Sequence, residues 1–184
     1  NTTNLPFRSA RRILASMTEL DQVWSRMLTD SAERADATGR EHVAAYLRLR
    51  ATNDAIRRHG VGWLFDTVIE IAGPAMAGHN PVTVEREEPH SFTRGNSTMT
   101  GAVLRVRQGV RCLTVEAGWA RLPADGIMQK GALAYARIAH FGMPKHTAEI
   151  RLVHGDELPA WLDPTDTAIN SGHLRQHFDI FLGV

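Results

Sequence analysis

Cysteine is nearly absent from this sequence, and neither sign of charge is in excess. Cys112 is the only cysteine among 184 residues. This excludes an internal disulfide and a zinc site built from several cysteines, and it is typical of a reducing compartment. Lysine and arginine together number 21 against 20 aspartates and glutamates, which leaves a net charge of +1. With no bulk field to attract nucleic acid or a membrane, any such binding must come from a local patch.

Long apolar runs and the common catalytic motifs are missing too. No run approaches the length of a membrane span, and no signal-peptide pattern opens the chain, so we expect a cytoplasmic protein without a membrane partner. The sequence has no glycine-rich phosphate loop, nucleophile elbow or zinc-finger spacing. It begins with Asn1 and not with methionine, as expected of a piece of a longer protein.

The clearest structural signal is the stretch 100–121, TGAVLRVRQGVRCLTVEAGWAR. Two runs rich in valine, leucine and threonine flank Gln108 and Gly109, which predicts a β-hairpin with these two residues as its turn. In that register Arg105 faces Cys112 across the strands. Because side chains alternate along a strand, the two faces of the ribbon differ. The predicted polar face carries Arg105, Arg107, Thr114 and Glu116, and the predicted apolar face carries Leu104, Val106, Leu113 and Val115.

Helical spacing dominates the part of the chain before this hairpin. A short basic helix is predicted over residues 8–17. A capping box at Thr18 opens a longer helix that ends at Gly39, and a second helix runs from about residue 40 to residue 59, where glycines stop it. These two helices predict an antiparallel pair.

This pattern predicts a single domain with two parts. A helical part, residues 1–60, is expected to pack on a mixed α/β core, residues 61–184. The apolar stripe that includes Trp24 makes the helical part a candidate surface for homo-oligomerisation.

The remaining segments complete an α+β fold. In chain order we predict a strand or a short buried helix at 61–72, with strand favoured, an edge strand at 81–87, a loop at 88–98, a helix in preference to a strand at 126–144, a strand at 147–154, a loop at 156–167 and a closing helix at 171–182. The expected architecture is an N-terminal helical pair, a central and mostly antiparallel sheet built on the 100–121 hairpin, a crossing helix and a C-terminal helix.

This order of elements, with Glu116 on the second strand of the hairpin, resembles the core of restriction-endonuclease-like nucleases, the PD-(D/E)xK superfamily. The resemblance covers about residues 40–154 and rests on element order and on the string LTVEAG at 113–118. In that family an acid on each hairpin strand binds magnesium, and a lysine two residues after the second acid helps to activate water. Glu116 matches the second acid, but no acid lies between Glu88 and Glu116, and Gly118 stands in the place of the lysine.

Other residues would have to complete such a site. By our own assignment, outside the family motif, a cation or amide would come from the following helix, Lys130 or Gln129, and a carboxylate from the preceding segment, Asp66 or Glu70. The implied catalytic pair is Glu116 with Lys130, and magnesium would be held by Glu116 and Asp66. Because a lone carboxylate holds magnesium poorly, our first hypothesis is a non-catalytic or degenerate nuclease-like module that binds nucleic acid or a protein. A metal-dependent nuclease or hydrolase and a structural dimerisation domain are the alternatives.

Arginines mark the surface that nucleic acid would use. The predicted contacts are Arg94, Arg105, Arg107 and Arg111. The competing interpretation is a solvated sheet face with arginine and glutamate as neighbours, which is the usual place for exposed charges.

Histidines supply one further hypothesis. His173 and His177 are four residues apart on one helix face, the spacing of a zinc pair, but a leucine occupies the place of a catalytic glutamate. His140 and His146 would join Glu116 if the chain folds back. The alternative is that these histidines bind free carbonyl groups at helix ends.

Overall fold

The computed structural model describes residues 23–155 and 158–184, and the short helix predicted over residues 8–17 lies outside them. The chain divides into two compact units between Ala55 and Ile56. Across the described ranges, no helix combines the length and the apolarity that a membrane span requires.

The first unit contains the predicted pair of helices. Helix α1 covers residues 23–37, and helix α2 covers Glu41–Met76, of which the part up to Ala55 belongs to this unit. Gly39, between the helices, has a φ of +73°, the left-handed conformation that glycine adopts without strain. We call residues 23–55 the helical pair.

Helix α2 is longer than predicted, because the glycines near its middle do not end it. It runs for 36 residues. A Cβ atom added to Gly60 would lie 2.6 Å from Cδ2 of the buried Leu152, which is on the sheet of the second unit. Gly60 therefore marks a close approach of helix and sheet, a use of glycine that the sequence pattern does not separate from a helix end.

Residues 61–72 are helical, so the predicted strand is wrong. Their buried apolar side chains are Val61, Leu64, Phe65, Val68, Ile71 and Ala72. This spacing of three and four residues places one stripe on one side of a helix. Aromatic and β-branched residues favour a strand, but burial of the stripe against the sheet outweighs that local preference.

The second unit adds an antiparallel sheet and a closing helix. Within the described residues the sheet has six strands that neighbour one another in chain order, so that β1 and β6 are its edges. The elements are β1 Thr83–Arg94, β2 Ser97–Gln108, β3 Arg111–Trp119, β4 Ala134–His140, β5 Ala148–Val153, β6 Ala160–Leu162 and helix α3 Ser171–Leu182. The α+β class, the antiparallel sheet and the C-terminal helix are confirmed.

Three other segments differ from their predictions. The predicted crossing helix at 126–144 is wrong, because it contains strand β4. The predicted loop at 88–98 contains the end of β1, a turn at Gly95 and the start of β2, and the predicted loop at 156–167 contains β6. The apolar positions near Tyr135 fit both a helical and a two-residue period. Hydrogen bonding of β4 to β3 on one side and to β5 on the other selects the strand.

The predicted hairpin exists, and its register is shifted by two residues. Gly109 and Val110 form the turn, and Gly109 has a φ of +57°. Arg105 lies opposite Thr114 in place of Cys112. A shift of two residues keeps every side chain on its predicted face. The apolar side chains Leu104, Val106, Leu113 and Val115 are buried, as predicted.

One face of the sheet packs against α2 and α3 and forms the main core of this unit. It includes Phe65 and Val68 from α2, Phe178 and Phe181 from α3, and Leu104, Val115, Ile138 and Leu152 from the sheet. The other face carries the polar residues of the hairpin, and it is the face on which a site was predicted.

Candidate functional site

Acidic and basic side chains are mixed on the sheet face that points away from the helices. We call this the charged face; its charged members are Glu85, Glu87 and Arg94 on β1, Arg105 and Arg107 on β2, Glu116 on β3, Arg137 on β4, and Glu149 and Arg151 on β5. Glu116 lies directly opposite Arg137, which lies opposite Glu149. Arg105, Arg107 and Arg137 thus each have an acidic side chain on a neighbouring strand. Cross-strand pairs of opposite charge stabilise a sheet.

The predicted nucleic-acid-binding arginines on β2 have carboxylate partners. Arg105 Nη1 donates a hydrogen bond of 2.7 Å to Glu87 Oε2, and this bond, together with the charge of Arg105, lowers the pKa of Glu87. Arg107 Nε lies 3.8 Å from Glu85 Oε2. The two guanidinium groups face the same side, as predicted, but each is partly neutralised by its neighbour.

The other two predicted arginines have partners away from β1 and β2. Arg94 pairs with Glu149, with 3.4 Å between Nε and Oε2. Arg111 Nη1 donates to the main-chain oxygens of Phe181 and Leu182 at the end of α3, where free carbonyl groups attract a cation. The structure therefore does not gather the four predicted arginines into one basic patch.

Glu116 shares the face of Arg105 and Arg107, but it is only 5% exposed. His90 Nε2 lies 2.9 Å from its Oε2, and the Arg137 guanidinium contacts its Oε1. These partners come from β1 and β4 on either side of it. The buried carboxylate is therefore held by side chains from two other strands, the adjacent β4 and the more distant β1, and this arrangement restricts its access to other ligands.

The remaining predicted site residues do not join Glu116. Asp66 is exposed on α2, and its neighbours Leu64 and Phe65 pack against the opposite face of the sheet. Lys130 lies in the loop before β4 and lines a cleft to which Glu116 does not contribute. Among the residues that the structure describes, no group of three or more His, Cys, Asp or Glu side chains is arranged to hold a metal ion. Glu116 and Asp66, the side chains proposed to hold magnesium, thus do not provide the several oxygen ligands that this ion requires.

Gly118, at the place of the lysine in the nuclease motif, has no room for a side chain. It pairs with Gly101 on β2, and an added Cβ would stand 2.8 Å from the main chain of Thr100. With β4 in place of the predicted crossing helix, the element order behind the resemblance has also changed. The resemblance itself stays a prediction.

The histidines form a cluster on the core face, remote from Glu116. His140 Nε2 lies 3.0 Å from His177 Nδ1 with the two rings stacked, and the His146 ring stands edge-on, 6.1 Å from that of His140. Burial, followed by the nearby charges of His177 and His146, lowers the pKa of His140 to about 4. Burial also lowers the pKa of His177. Burial therefore favours the neutral form of both rings.

His173 does not share a ligand pair with His177. Its main-chain N–H donates to Asn170 Oδ1, and its own Nδ1 accepts from the Asn170 main chain. This reciprocal pattern caps the start of α3. The two histidines whose spacing suggested zinc thus have separate roles. His173 caps α3, and His177 belongs to the histidine cluster.

The helical pair also exposes several large apolar side chains, which the sequence analysis described only in part. We refer to them together as its apolar surface: they are Val23, Trp24 and Met27 on α1, and Tyr46 and Leu49 on α2. Met27 is 54% exposed, Tyr46 60% and Leu49 58%. The side chains buried within the pair are mostly small, namely Ala32, Ala35 and Ala44, with Leu28 also buried.

Trp24 is held in position on this surface. Its indole N–H donates to Asp54 Oδ2 over 3.4 Å, and the Arg50 guanidinium lies 5.6 Å from its ring centre. The prediction named Trp24 and its own stripe, whereas Tyr46 and Leu49 had no role in it. Their spacing of three residues on a helix was the signal that would have identified them.

The charges of the helical pair balance. Arg26, Arg34, Arg40, Arg48 and Arg50 are matched by Asp30, Glu33, Asp36, Glu41 and Asp54. One of these matches, Arg48 with Asp36, is an ion pair within the pair of helices. A balanced surface presents no net field to a polyanion, so its apolar side chains are its distinguishing property.

No protein-family model, curated protein or solved structure matches this chain.

Proposed function

We propose that this chain is a non-catalytic interaction module that associates with a second copy of itself through the apolar surface of its helical pair. The observation that carries the proposal is the distribution of side chains in that pair, where three alanines and Leu28 are buried while five large apolar side chains are exposed. Exposed apolar groups collected on one element are typical of an interface.

The energetics favour an interface to which both copies contribute. Full burial of a large apolar side chain stabilises by about 1.5–3 kcal/mol, so half-exposed groups such as Tyr46 and Leu49 gain about 1 kcal/mol each. Association loses at least about 4 kcal/mol of translational and rotational freedom. A symmetric pair brings the same side chains twice, which doubles the gain for one loss of freedom.

Charge balance supports a second copy over a polyanion as the partner. The helical pair has as many acids as bases, so two copies do not repel each other and can exchange opposite charges across a twofold axis. A non-catalytic role agrees with the closed environment of Glu116 between His90 and Arg137. The lone, half-buried Cys112 supports a reducing, cytoplasmic location.

The test is the mass of the full chain in solution over a range of concentrations, by sedimentation or by light scattering. We expect reversible self-association in the wild type and its loss in a Tyr46→Glu, Leu49→Glu double variant. The control is Val110→Glu with Ile127→Glu, which changes two apolar side chains of the second unit that are even more exposed. A wild type that stays monomeric, or a control as disruptive as the double variant, would overturn the proposal.

Nucleic-acid binding through the charged face is the second candidate. One observation favours it: the Arg107 side chain is 52% exposed and only loosely paired with Glu85. We expect Arg105→Ala with Arg107→Ala to weaken binding at low salt and to reduce its dependence on salt concentration. Absence of binding by the intact chain at low salt would remove this candidate.

A further inference from the structure

A cleft in the second unit gathers three cationic side chains. It lies at the end of the charged face, beside β4, β5 and the loop before β4. Its volume is about 90 Å³, and Arg94, Lys130, Arg151, Tyr135, Glu149 and Asp163 are among the residues that line it. Two of these, Arg94 and Lys130, were candidate site residues for other reasons, and the fold brings them together here.

Arg94 is oriented by the floor of the cleft. Its guanidinium carbon lies 3.9 Å from the ring centre of Tyr135, a close cation–π contact. Tyr135 is buried, and its hydroxyl donates to the main-chain oxygen of Gln129 over 3.0 Å. The planar donor group of Arg94 is therefore fixed before any ligand arrives.

Two guanidinium N–H groups at the cleft lack acceptors. Nε of Arg94 and Nε of Arg151 are both buried, and neither has a hydrogen-bond acceptor among the described residues. The Glu149 carboxylate lies 3.4 Å from Arg94 Nε without forming a hydrogen bond. Arg151 uses its other nitrogens on the main-chain oxygen of Asp163 and on Asp166. A buried donor without an acceptor costs about 1–3 kcal/mol.

Lys130 adds a charge that its surroundings do not neutralise. No ion pair joins it to a carboxylate in the described part of the chain. Its φ of +54° is a left-handed conformation that residues with a side chain rarely adopt. Backbone strain of this kind is concentrated at ligand-binding positions.

Asp163 does not supply the missing negative charge. Its Oδ1 accepts from the main-chain N–H groups of Thr165 and Thr167 and from the Thr165 hydroxyl. These bonds, the hydroxyl first, lower the pKa of Asp163 and turn its carboxylate toward its own loop. Glu149 is thus the carboxylate that an incoming anion would displace from Arg94.

We propose that this cleft binds a small tetrahedral oxyanion, a phosphate group, through Arg94, Lys130 and Arg151. Guanidinium groups donate to two phosphate oxygens at once, and an ammonium adds a point charge. The cleft has room for about three water molecules. That space suits a single phosphate group and is too small for a nucleobase. This proposal does not depend on self-association of the helical pair.

The test is calorimetric titration of the full chain with inorganic phosphate, with sodium chloride holding the ionic strength constant. We expect saturable binding that a Lys130→Gln variant weakens about tenfold, the effect of one lost charge-assisted hydrogen bond. Arg94→Lys keeps a cation beside Glu149 but removes the two-pronged donor, and it should weaken binding by a similar factor.

Lys145→Gln is the matched control. Lys145 does not line the cleft, and its replacement changes the net charge by the same amount as Lys130→Gln. The control should bind phosphate as the wild type does. Failure of the wild type to saturate, or equal weakening in the two lysine variants, would overturn the proposal.

Discussion

The two units of this chain differ in the size of the apolar side chains that they bury. In the unit that contains the sheet, residues 56–184, the fully buried side chains include Phe65, Leu104 and Phe181. In the helical pair, alanines fill the interior while Tyr46 and Leu49 lie outside. Because stabilisation scales with the apolar area removed from water, the sheet unit is held by its own core. The pair leaves its largest apolar groups exposed.

The largest expected difference between the units comes from replacing one leucine by alanine in each of them. Leu104→Ala in the sheet unit removes a fully buried side chain and should lower the free energy of unfolding by about 3–4 kcal/mol. Leu49→Ala in the helical pair should lower it by less than about 0.5 kcal/mol. Urea unfolding of dilute protein measures both values. Similar losses would mean that Leu49 is packed and that the contrast between the units is false.

Acid should act on the sheet unit in particular, since the buried His140 ring belongs to it. The folded state lowers the pKa of His140 from 6.5 to about 4, so it favours the neutral ring. The unfolded state binds more protons between these values. Stability is therefore full above pH 6.5 and falls as the pH drops toward 4, by about 3 kcal/mol at most.

The measurement is the free energy of unfolding across that pH range. A His140→Leu variant removes the titrating ring but keeps an apolar side chain of similar size, so its stability should depend less on pH. A variant that follows the wild-type curve would show that other groups control the acid response.

Two carboxylates of the charged face should contribute differently to stability, because one is buried and the other is exposed. Glu116→Gln weakens contacts with His90 and Arg137 in a buried position and should lower stability by about 2 kcal/mol. Glu85→Gln alters only the exposed pair with Arg107 and should change stability by less than about 1 kcal/mol. Thermal unfolding of both variants tests this order, and a reversed order would contradict the closed environment assigned to Glu116.

The smallest expected loss of stability comes from replacing one glycine by alanine in each unit, and the loss should be equal in the two units. Gly39 in the helical pair and Gly109 in the sheet hairpin have φ values of +73° and +57°, and an added Cβ meets no atom within 4 Å at either position. Alanine at each should therefore add only backbone strain, about 1 kcal/mol. Equal losses in urea unfolding would locate the difference between the units in packing alone. A larger loss at one position would reveal a local contact.

Sequence patterns predict elements whose apolar residues fit only one period. The hairpin faces and helix α3 belong to this group: alternation along β2 places Leu104 and Val106 together, and an Asn170 cap opens α3. The segment 134–140 fits two periods, and its pairing with β3 and β5 decides between them. Such pairing is a property of the whole sheet, which a single stretch of sequence does not contain.

The candidate site was harder to predict because its partners come from distant strands. Glu116 was expected to face open space with Arg105 and Arg107, and the face was correct. Its closure depends on His90, which lay in a segment read as a loop, and on Arg137, which lay in a segment read as a helix. Each misassigned element therefore removed one neighbour of the carboxylate.

Strand β1 runs for 12 residues along one edge of the sheet, where a free row of N–H and C=O groups invites another strand. Four consecutive charged residues, Glu85 to Glu88, occupy this edge, and Pro89 follows without an N–H to offer. The opposite edge, β6, is only three residues long. Charge along one border and the shortness of the other therefore oppose the addition of foreign strands, the step by which exposed sheet edges begin fibre growth.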